Sequence, residues 1–392
     1  MTSRTLKISL LSLLAALPAN PAFAGVTASF RYPLSNFSGP VLSHWAQLAV
    51  DPERNEVYAL HRRKNDIRIF DEHGMEIFVF GDGFGSASDI TIGDDGDIFV
   101  LSRGYQTATI HLLNYRGEQI SEIPLQDVPA AFSKFVADQL VHRNGSLYLV
   151  DSDAMKVIVV DEAGRFEKGY DLDREIKPFV PRDDVQRELA IDDWRKRQLE
   201  DIELNGFTVD DQGNLFFTVP VLFSAFKLSP RGELARFGKS GSAKGKFGVV
   251  AGIATDDMGY IYVSDRLRSV VLVFDCDLNF QTEFGYRGDQ PSNLIVPDDL
   301  AVDRSGNVYV GQAANRGVSV FKVTHQDASP PQASEVMSIN HEQSGRIIEE
   351  VEVDRMEFVV DRGSDAASTG SGDSGRNTEA IESYDNEVKR DD

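Results

Sequence analysis

The chain has 392 residues, a formal net charge of −22 and one cysteine, Cys276. This acidity argues against a nucleic-acid partner, because phosphate binding depends on Lys and Arg. A single cysteine excludes an internal disulfide, so stability has to come from a buried core.

The first 24 residues predict a cleavable signal peptide. Arg4 and Lys7 precede an apolar stretch at 8–17 that is too short to cross a bilayer, and Ala22-Phe23-Ala24 fits a peptidase site. We therefore expect export to the periplasm or the cell exterior, with cleavage after Ala24. No later segment approaches the roughly 20 apolar residues of a membrane helix, so we expect no membrane span.

Six copies of one pattern follow the signal segment. Each has a short strand, a turn, an apolar strand, a loop, an alternating strand and usually a fourth strand. The central strand pairs lie at 55–74, 96–117, 145–164, 213–232, 259–278 and 306–323. Four short strands at a period of about 40 to 50 residues are typical of β-propeller blades. The sequence thus predicts an all-β fold, a six-bladed propeller of four-stranded blades.

The repeats resemble the NHL repeat over residues 46 to 323. The resemblance rests on segments such as GYIYVSDRLRSVVLVFD (259–275) and GNVYVGQAANRGVSVFKV (306–323), together with the Gly-rich link GKSGSAKGKFGVVAGIATDDMG (238–259). It implies a six-bladed propeller, in agreement with the repeat count. The last repeat lacks a fourth strand, and TASFRYPL (27–34) is predicted to supply it and to close the ring.

Two segments lie outside the repeats. We predict a propeller over 25–325, with a helical insertion at 168–203 between blades 3 and 4, because VQRELAIDDWRKRQLEDIEL has apolar residues at helical spacing. Residues 326–392 carry 17 acids and 6 bases and are predicted to form an acidic, largely disordered tail. Segment 347–361 within it has the apolar content of a strand or a docking motif. The sequence does not tell whether this tail masks the cationic loops described next, although opposite charges on one chain make masking physically reasonable.

One end of the propeller is expected to be the functional one. Loops between the second and third strands lie at the same end as the links between blades, which we call the loop face; the opposite end is the turn face. The candidate residues for binding a protein partner or a small anion are His61, Arg62, Arg63, Arg103, Lys246, Asp265, Arg266, Arg268, Arg287 and Arg316. Arginine suits such ligands because its planar fork makes paired hydrogen bonds to carboxylates and phosphates. The alternative is that these arginines pair with Asp residues of neighbouring blades.

Carboxylates are predicted at the mouth of the central channel. Residues that begin the innermost strands align as Gln47, Asp89, Gln139, Gly206, Gly252 and Asp299, and Asp138 and Asp298 precede two of them. Clustered carboxylates repel one another unless a cation lies among them. Asp89, Asp138, Asp298 and Asp299 are thus candidate Ca²⁺ ligands, as calcium occurs in the channel of related six-bladed lactonases; the alternatives are arginine pairing and water.

The apolar loop TVPVLF (218–223) departs from the repeat pattern. With Trp194 of the insertion it could form a docking patch for a partner; the alternative is that the insertion covers it.

Catalytic motifs are not evident. The seven histidines of the mature chain do not share one repeat position, which disfavours a Zn²⁺ lyase, and no G-x-S-x-G sequence is present. Two hypotheses remain: a non-catalytic, monomeric binding or scaffold propeller, without a required cofactor, and a Ca²⁺- or Zn²⁺-assisted hydrolase or lyase resembling propeller lactonases.

Overall fold

The computed structural model describes residues 25–325 apart from 43–45, 62, 63, 65, 82, 181–201 and 314. The chain divides into two units, Met1–Gln332 and Ala333–Asp392, and the second lies wholly outside the described residues. The predicted signal peptide and the predicted acidic tail also lie outside them.

The described residues form six four-stranded antiparallel sheets, which are the six predicted blades. Before blade 1 come β1 (Val26–Pro33), β2 (Ser35–Asn36) and β3 (Gly39–Pro40). Blade 1 contains β4 (Ala46–Asp51), β5 (Glu56–His61), β6 (Asp66–Phe70) and β7 (Glu76–Phe80). Blade 2 contains β8 (Ala87–Ile92), β9 (Ile98–Arg103), β10 (Ala108–Leu113) and β11 (Gln119–Ile123).

The later blades repeat this order. Blade 3 contains β12 (Gln139–Arg143), β13 (Ser146–Asp151), β14 (Lys156–Asp161) and β15 (Phe166–Asp171). Blade 4 contains β16 (Phe207–Val209), β17 (Leu215–Val219), β18 (Ser224–Leu228) and β19 (Leu234–Phe237). Blade 5 contains β20 (Val250–Thr255), β21 (Ile261–Asp265), β22 (Val270–Phe274) and β23 (Phe280–Gly285).

Blade 6 closes the ring with both ends of the described chain. It contains β24 (Pro297–Val302), β25 (Asn307–Gln312) and β26 (Gly317–His325), and β1 is its fourth strand. β1 runs antiparallel to β26, from Val26 opposite His325 to Pro33 opposite Ser319. The predicted closure by residues 27–34 is therefore confirmed, and closure leaves no innermost strand without a neighbouring blade.

The described residues contain little helix. α1 (Leu172–Ile176) follows β15, and the Asp171 carboxylate accepts a hydrogen bond from the Arg174 N–H at its start. Short 3-10 turns lie at Ala130–Phe132, Lys177–Phe179 and Pro220–Leu222. β15 includes residues 168–171 of the predicted insertion, while the predicted helix and Trp194 fall almost entirely in 181–201, outside the described residues.

Apolar side chains on both faces of each blade hold the ring together. In β5, Val57 and Ala59 pack against blade 6, whereas Tyr58 and Leu60 pack against blade 2, because successive side chains of a strand point to opposite faces. Such an apolar cluster lies between each pair of neighbouring blades in the described chain. Each fully buried large side chain contributes roughly 1.5–3 kcal/mol to stability.

The turn face is built by short turns that begin with an acid. Asp256 accepts hydrogen bonds from the N–H groups of Met258 and Tyr260, and Gly259 adopts a φ of +84° between them. Asp303 caps the equivalent turn of blade 6 through the Asn307 N–H. This use of Asp with a left-handed Gly explains the recurring D-x-x-G of the sequence.

Candidate functional site

The six innermost strands surround a central channel that holds a cavity of about 380 Å³. The predicted mouth residues all line it: Gln47, Asp89, Gln139, Gly206, Gly252 and Asp299, with Asp138 and Asp298 beside them. Arg266 is the arginine of the predicted set that lines the same cavity. The alignment of the repeats thus identified the channel wall correctly.

Arg266 joins blade 5 to blade 6 at the channel mouth. Its guanidinium donates through Nε to the Asp298 carboxylate at 3.0 Å and through a second nitrogen at 2.5 Å. It also contacts the Asn205 side-chain oxygen at 3.3 Å. Arg266 is 28% exposed and Asp298 15%, so the pair is partly shielded from water.

Arg103 makes the corresponding contact from blade 2 to blade 3. Its guanidinium lies 3.3 Å from Asp138 and 3.0 Å from Asp153. Its backbone N–H donates to the Ser86 carbonyl, as that of Arg266 donates to Val249, which shows that the two arginines occupy equivalent repeat positions. At both junctions, then, the arginine pairs with Asp of the neighbouring blade, which is the alternative considered for these arginines.

Arg268 and Asp265 are turned into blade 5 rather than toward solvent. Arg268 forms two hydrogen bonds with Glu283 of β23, at 3.0 and 2.8 Å, and another to the Lys246 carbonyl. The side chains of Arg268 and Glu283 are only 11% and 2% exposed. Asp265 is fully buried and accepts hydrogen bonds from the Gly248, Val249 and Arg268 N–H groups. Contrary to expectation, neither residue presents its charge on the loop face.

The remaining candidates are dispersed around the loop face. His61 lies at the end of β5, where its Nδ1 accepts a hydrogen bond from the Lys64 N–H at 3.3 Å. Arg316 donates to the Gln290 carbonyl at 3.3 Å. Arg287 is exposed in the link between blades 5 and 6, and Lys246 is half-buried. Arg62 and Arg63 lie outside the described residues.

Two of the mouth carboxylates bind backbone groups of the next blade. Asp89 of β8 accepts a hydrogen bond from the Leu140 N–H in β12 at 2.8 Å. Asp299 of β24 accepts one from the Leu48 N–H in β4 at 2.7 Å. These contacts connect blade 2 to blade 3 and blade 6 to blade 1, so both acids have a structural role.

At two other junctions a glycine replaces the acid, and a hydroxyl makes the contact. Thr218 Oγ1 accepts from the Gly206 N–H and donates to the Ala251 carbonyl of blade 5. Ser264 Oγ donates to the Asp298 carbonyl of blade 6 at 2.6 Å. A Cβ on Gly252 would lie 2.3 Å from that same carbonyl oxygen, which no side chain permits. Sequence reasoning missed these hydroxyls, although a Ser or Thr 12 residues after each mouth glycine was a usable signal.

Burial changes the acidity of two mouth carboxyls. Asp299 has its pKa raised to about 8, first by burial and then by the negative charge of Asp89. Burial likewise raises the pKa of Asp138, although hydrogen bonds from Ser152 and the charge of Arg103 oppose the change. Below pH 8, therefore, Asp299 is mainly protonated, which lowers the repulsion between neighbouring acids at the mouth.

The predicted calcium ligands do not converge into a ready-made set. Within the described part of the chain, no three side chains from His, Cys, Asp and Glu lie in an arrangement able to hold a metal ion. Asp89 and Asp299 bind backbone N–H groups, and Asp138 and Asp298 bind arginines. A metal ion would have to compete with these contacts or use them together with carbonyl and amide oxygens.

The rim of the loop face carries exposed apolar side chains. They are Leu42, Tyr105, Phe223, Leu267 and Tyr286, each at a loop between second and third strands or in a link between blades. Tyr105 is 97% exposed and Leu267 66%. In the apolar loop 218–223, Val219 and Leu222 are buried and Phe223 is exposed with a left-handed φ of 49°.

Within the described chain, no helix has the length and apolar character to span a bilayer.

The chain is a six-bladed β-propeller with likeness to several solved structures. A streptogramin B lyase has a TM-score of 0.50 at 12% identity, with 76% of this chain and 98% of that chain covered. A gluconolactonase from Xanthomonas campestris has a TM-score of 0.50 at 12% identity, with 72% and 88% covered. A protein of unknown function from Bacteroides thetaiotaomicron has a TM-score of 0.51 at 15% identity, with 76% of each chain covered. At these identities the likeness is one of fold. No family model matches the chain.

Proposed function

We propose that this protein is a non-catalytic binding or scaffold propeller whose loop face recognises a protein partner. The observation that carries the proposal is the set of exposed apolar tips on that face, Tyr105, Phe223, Leu267 and Tyr286, drawn from blades 2, 4 and 5 and the following link. Tyr is enriched at protein interfaces because one side chain offers a large apolar area and a polar end.

The arginines support a protein partner better than a small anion. Arg266 pairs with Asp298, Arg103 with two Asp residues, and Arg268 with Glu283. A small anion at the mouth would face Asp138, Asp153 and Asp298 and would have to displace a carboxylate already in place, at a cost in free energy. Exposed cations further out, such as Arg287 and Lys244, are suited to charge contacts at the rim of an interface.

The proposal is tested by removing the apolar tips without touching the channel. The variant Tyr105→Asp/Leu267→Asp/Tyr286→Asp is compared with Met258→Asp, which changes an exposed apolar residue of the turn face. We expect wild type and Met258→Asp to recover the same protein from an envelope extract, and the triple variant to lose it at unchanged thermal stability. Equal recovery by all three proteins would contradict a loop-face interface.

A metal-assisted hydrolase or lyase is the second candidate. It is favoured by the acids that line the channel cavity, four of them at the mouth positions, and by the fold shared with a gluconolactonase and a streptogramin B lyase. In that function Asp89, Asp138, Asp298 and Asp299 would hold Ca²⁺. Metal analysis of the purified protein, followed by a gluconolactone hydrolysis assay with and without added Ca²⁺, tests it. One tightly bound metal ion per chain with Ca²⁺-dependent hydrolysis would replace the scaffold proposal.

We further infer that the repeats are of the NHL type and that the protein is exported and monomeric. The repeat residues support the first inference, and the N-terminal segment 1–24 supports export. Sequencing the N-terminus of the protein from an extracytoplasmic fraction tests export, because cleavage after Ala24 leaves Gly25 first. Sedimentation at micromolar concentration tests the monomer.

A further inference from the structure

The outer strand of blade 1, β7, is unusually apolar for an edge strand. Ile77, Phe78 and Val79 are consecutive, and they are 51%, 46% and 42% exposed. Neighbouring residues of a strand point to opposite faces, so both faces of β7 are apolar and open to solvent. Long apolar edges favour pairing with another chain, and proteins usually guard them with charged residues.

Three of the other outer strands carry such guards: β11 contains Glu122, β15 contains Glu167 and Lys168, and β1 contains Arg31. In β19, Arg236 bonds to Ser224 and the Leu222 carbonyl, and in β23, Glu283 bonds to Arg268, so both charges are held within their own blades. The centre of β23 is polar, with Gln281 and Thr282. The one charged residue of β7, Glu76, is held at 2.7 Å by Arg68 of the adjacent strand β6, so it is directed back to its own sheet.

The backbone of β7 is regular from Phe78 to Phe80. These three residues pair in sequence with Ile69, Arg68 and Ile67, and a register shift between Glu76 and Phe78 leaves Ile77 without a cross-strand partner in β6. The link after β1 covers only that start, through a parallel bridge between Ser35 and Met75. The chain then forms the β2–β3 hairpin. Among the described residues, no strand pairs with the outer edge of 77–79.

We propose that β7 is a strand-addition site for an extended, basic segment of a partner protein with apolar residues at alternate positions. Backbone pairing along 78–80 would supply affinity, and the alternate apolar side chains would pack on Phe78 and Phe80, whose rings stack on one face of β7. Net charge favours a basic partner over a second copy of this chain. A second copy would bring a further net charge of −22, whereas basic residues would be attracted to this acidic protein. The site is separate from the loop face.

The probe is an acetylated and amidated peptide of alternating Lys and Val, seven residues long, compared with its Glu–Val counterpart. Binding is measured by calorimetry to wild type, to Val79→Lys and to the matched control Ile120→Lys, which places the same charge on the exposed outer strand of blade 2. We expect the Lys–Val peptide to bind wild type and Ile120→Lys equally and Val79→Lys at least tenfold more weakly. The Glu–Val peptide is expected not to bind.

Hydrogen exchange locates the contact independently of the variants. Protection of amides within 76–80 by the Lys–Val peptide supports strand addition. Protection confined to the loop face, equal binding to Val79→Lys, or the absence of binding to wild type overturns it. Self-association of wild type that Val79→Lys abolishes would show that a second copy occupies the edge, and this also overturns the proposal.

Discussion

Arg266 and Arg268 are two residues apart in one loop, yet they serve different parts of the molecule. Arg268 is buried and holds Glu283 within its own blade, whereas Arg266 is part-exposed and holds Asp298 of the next blade at the channel mouth. The first pair determines how blade 5 folds, and the second determines how blades 5 and 6 meet. Two arginines close in sequence therefore stabilise different contacts. Removing the buried Arg268 should cost more free energy than removing Arg266, because it leaves a buried charge without its partner.

The largest effect is expected from Arg268→Met. The substitution leaves Glu283 buried without its cation, and breaking a buried pair in this way costs about 3–5 kcal/mol of unfolding free energy. Burial alone would raise the pKa of Glu283, but hydrogen bonds from Arg268 and the Gly245 N–H lower it overall. The wild-type contribution is therefore present above the ordinary carboxyl pKa and lost as the pH falls, and the variant should lack this acid-side loss. Urea unfolding at pH 7 and pH 4 measures both; a cost under about 1 kcal/mol at pH 7 would mean that the pair is not structural.

Gly252→Ala tests the packing between blades 5 and 6 rather than the packing within one blade. The added Cβ would lie 2.3 Å from the Asp298 carbonyl oxygen, so the inner strands of blades 5 and 6 must separate. We expect a loss of about 2–3 kcal/mol, typical of overpacking in a rigid site. Gly104→Ala is the control, because its Cβ would lie 3.2 Å from the Thr107 hydroxyl and needs only a small adjustment. Equal losses in both variants would show that the junction is not close-packed.

Asp299→Asn is expected to stabilise the protein at pH 7, by about 1–3 kcal/mol. The pKa of this carboxyl is raised to about 8, so the folded state holds a proton that the unfolded state has already released. The contribution of the protonated carboxyl is present at low pH and is lost as the pH rises through 8. The stability difference between variant and wild type should accordingly be near zero at pH 4, grow to pH 8 and then remain constant. Asp277→Asn, the same substitution in an exposed turn, is the matched control.

Arg266→Ala is expected to have the smallest effect, about 1 kcal/mol, since both partners of this pair reach water. Arg304→Ala, which removes a more exposed pair with Glu53, is the reference for a cost near zero. If Arg266→Ala destabilises as much as Arg268→Met, burial does not distinguish the two arginines. Partner recovery by Arg266→Ala should match wild type, because the proposed interface rests on the apolar rim.

The sequence predicted the fold well because the repeat encodes it locally. Turn residues such as Asp256 and Gly259, and central strands such as 261–265, recur in register, and the missing strand could be assigned to residues 27–34. The channel-wall positions followed from the same alignment. The partners of the arginines did not follow: Asp298 is 32 positions from Arg266 along the chain, and the distance between them depends on how blades pack. The inward orientation of Asp265 was also not predictable from composition alone, although Asp151 occupies the equivalent position in blade 3 and likewise accepts backbone N–H groups.

Ring closure through β1 has a consequence for folding during synthesis. The hydroxyls of Thr27 and Thr324 are hydrogen-bonded across 297 positions. The strand β1 therefore leaves the ribosome first but cannot pair with β26 until nearly the whole propeller has been synthesised. Contacts of such long sequence separation are slow to form. Blades 1 to 5 can each assemble from adjacent segments. Blade 6 needs both β1 and the last strands of the propeller, so closure of the ring is expected to be a late folding step.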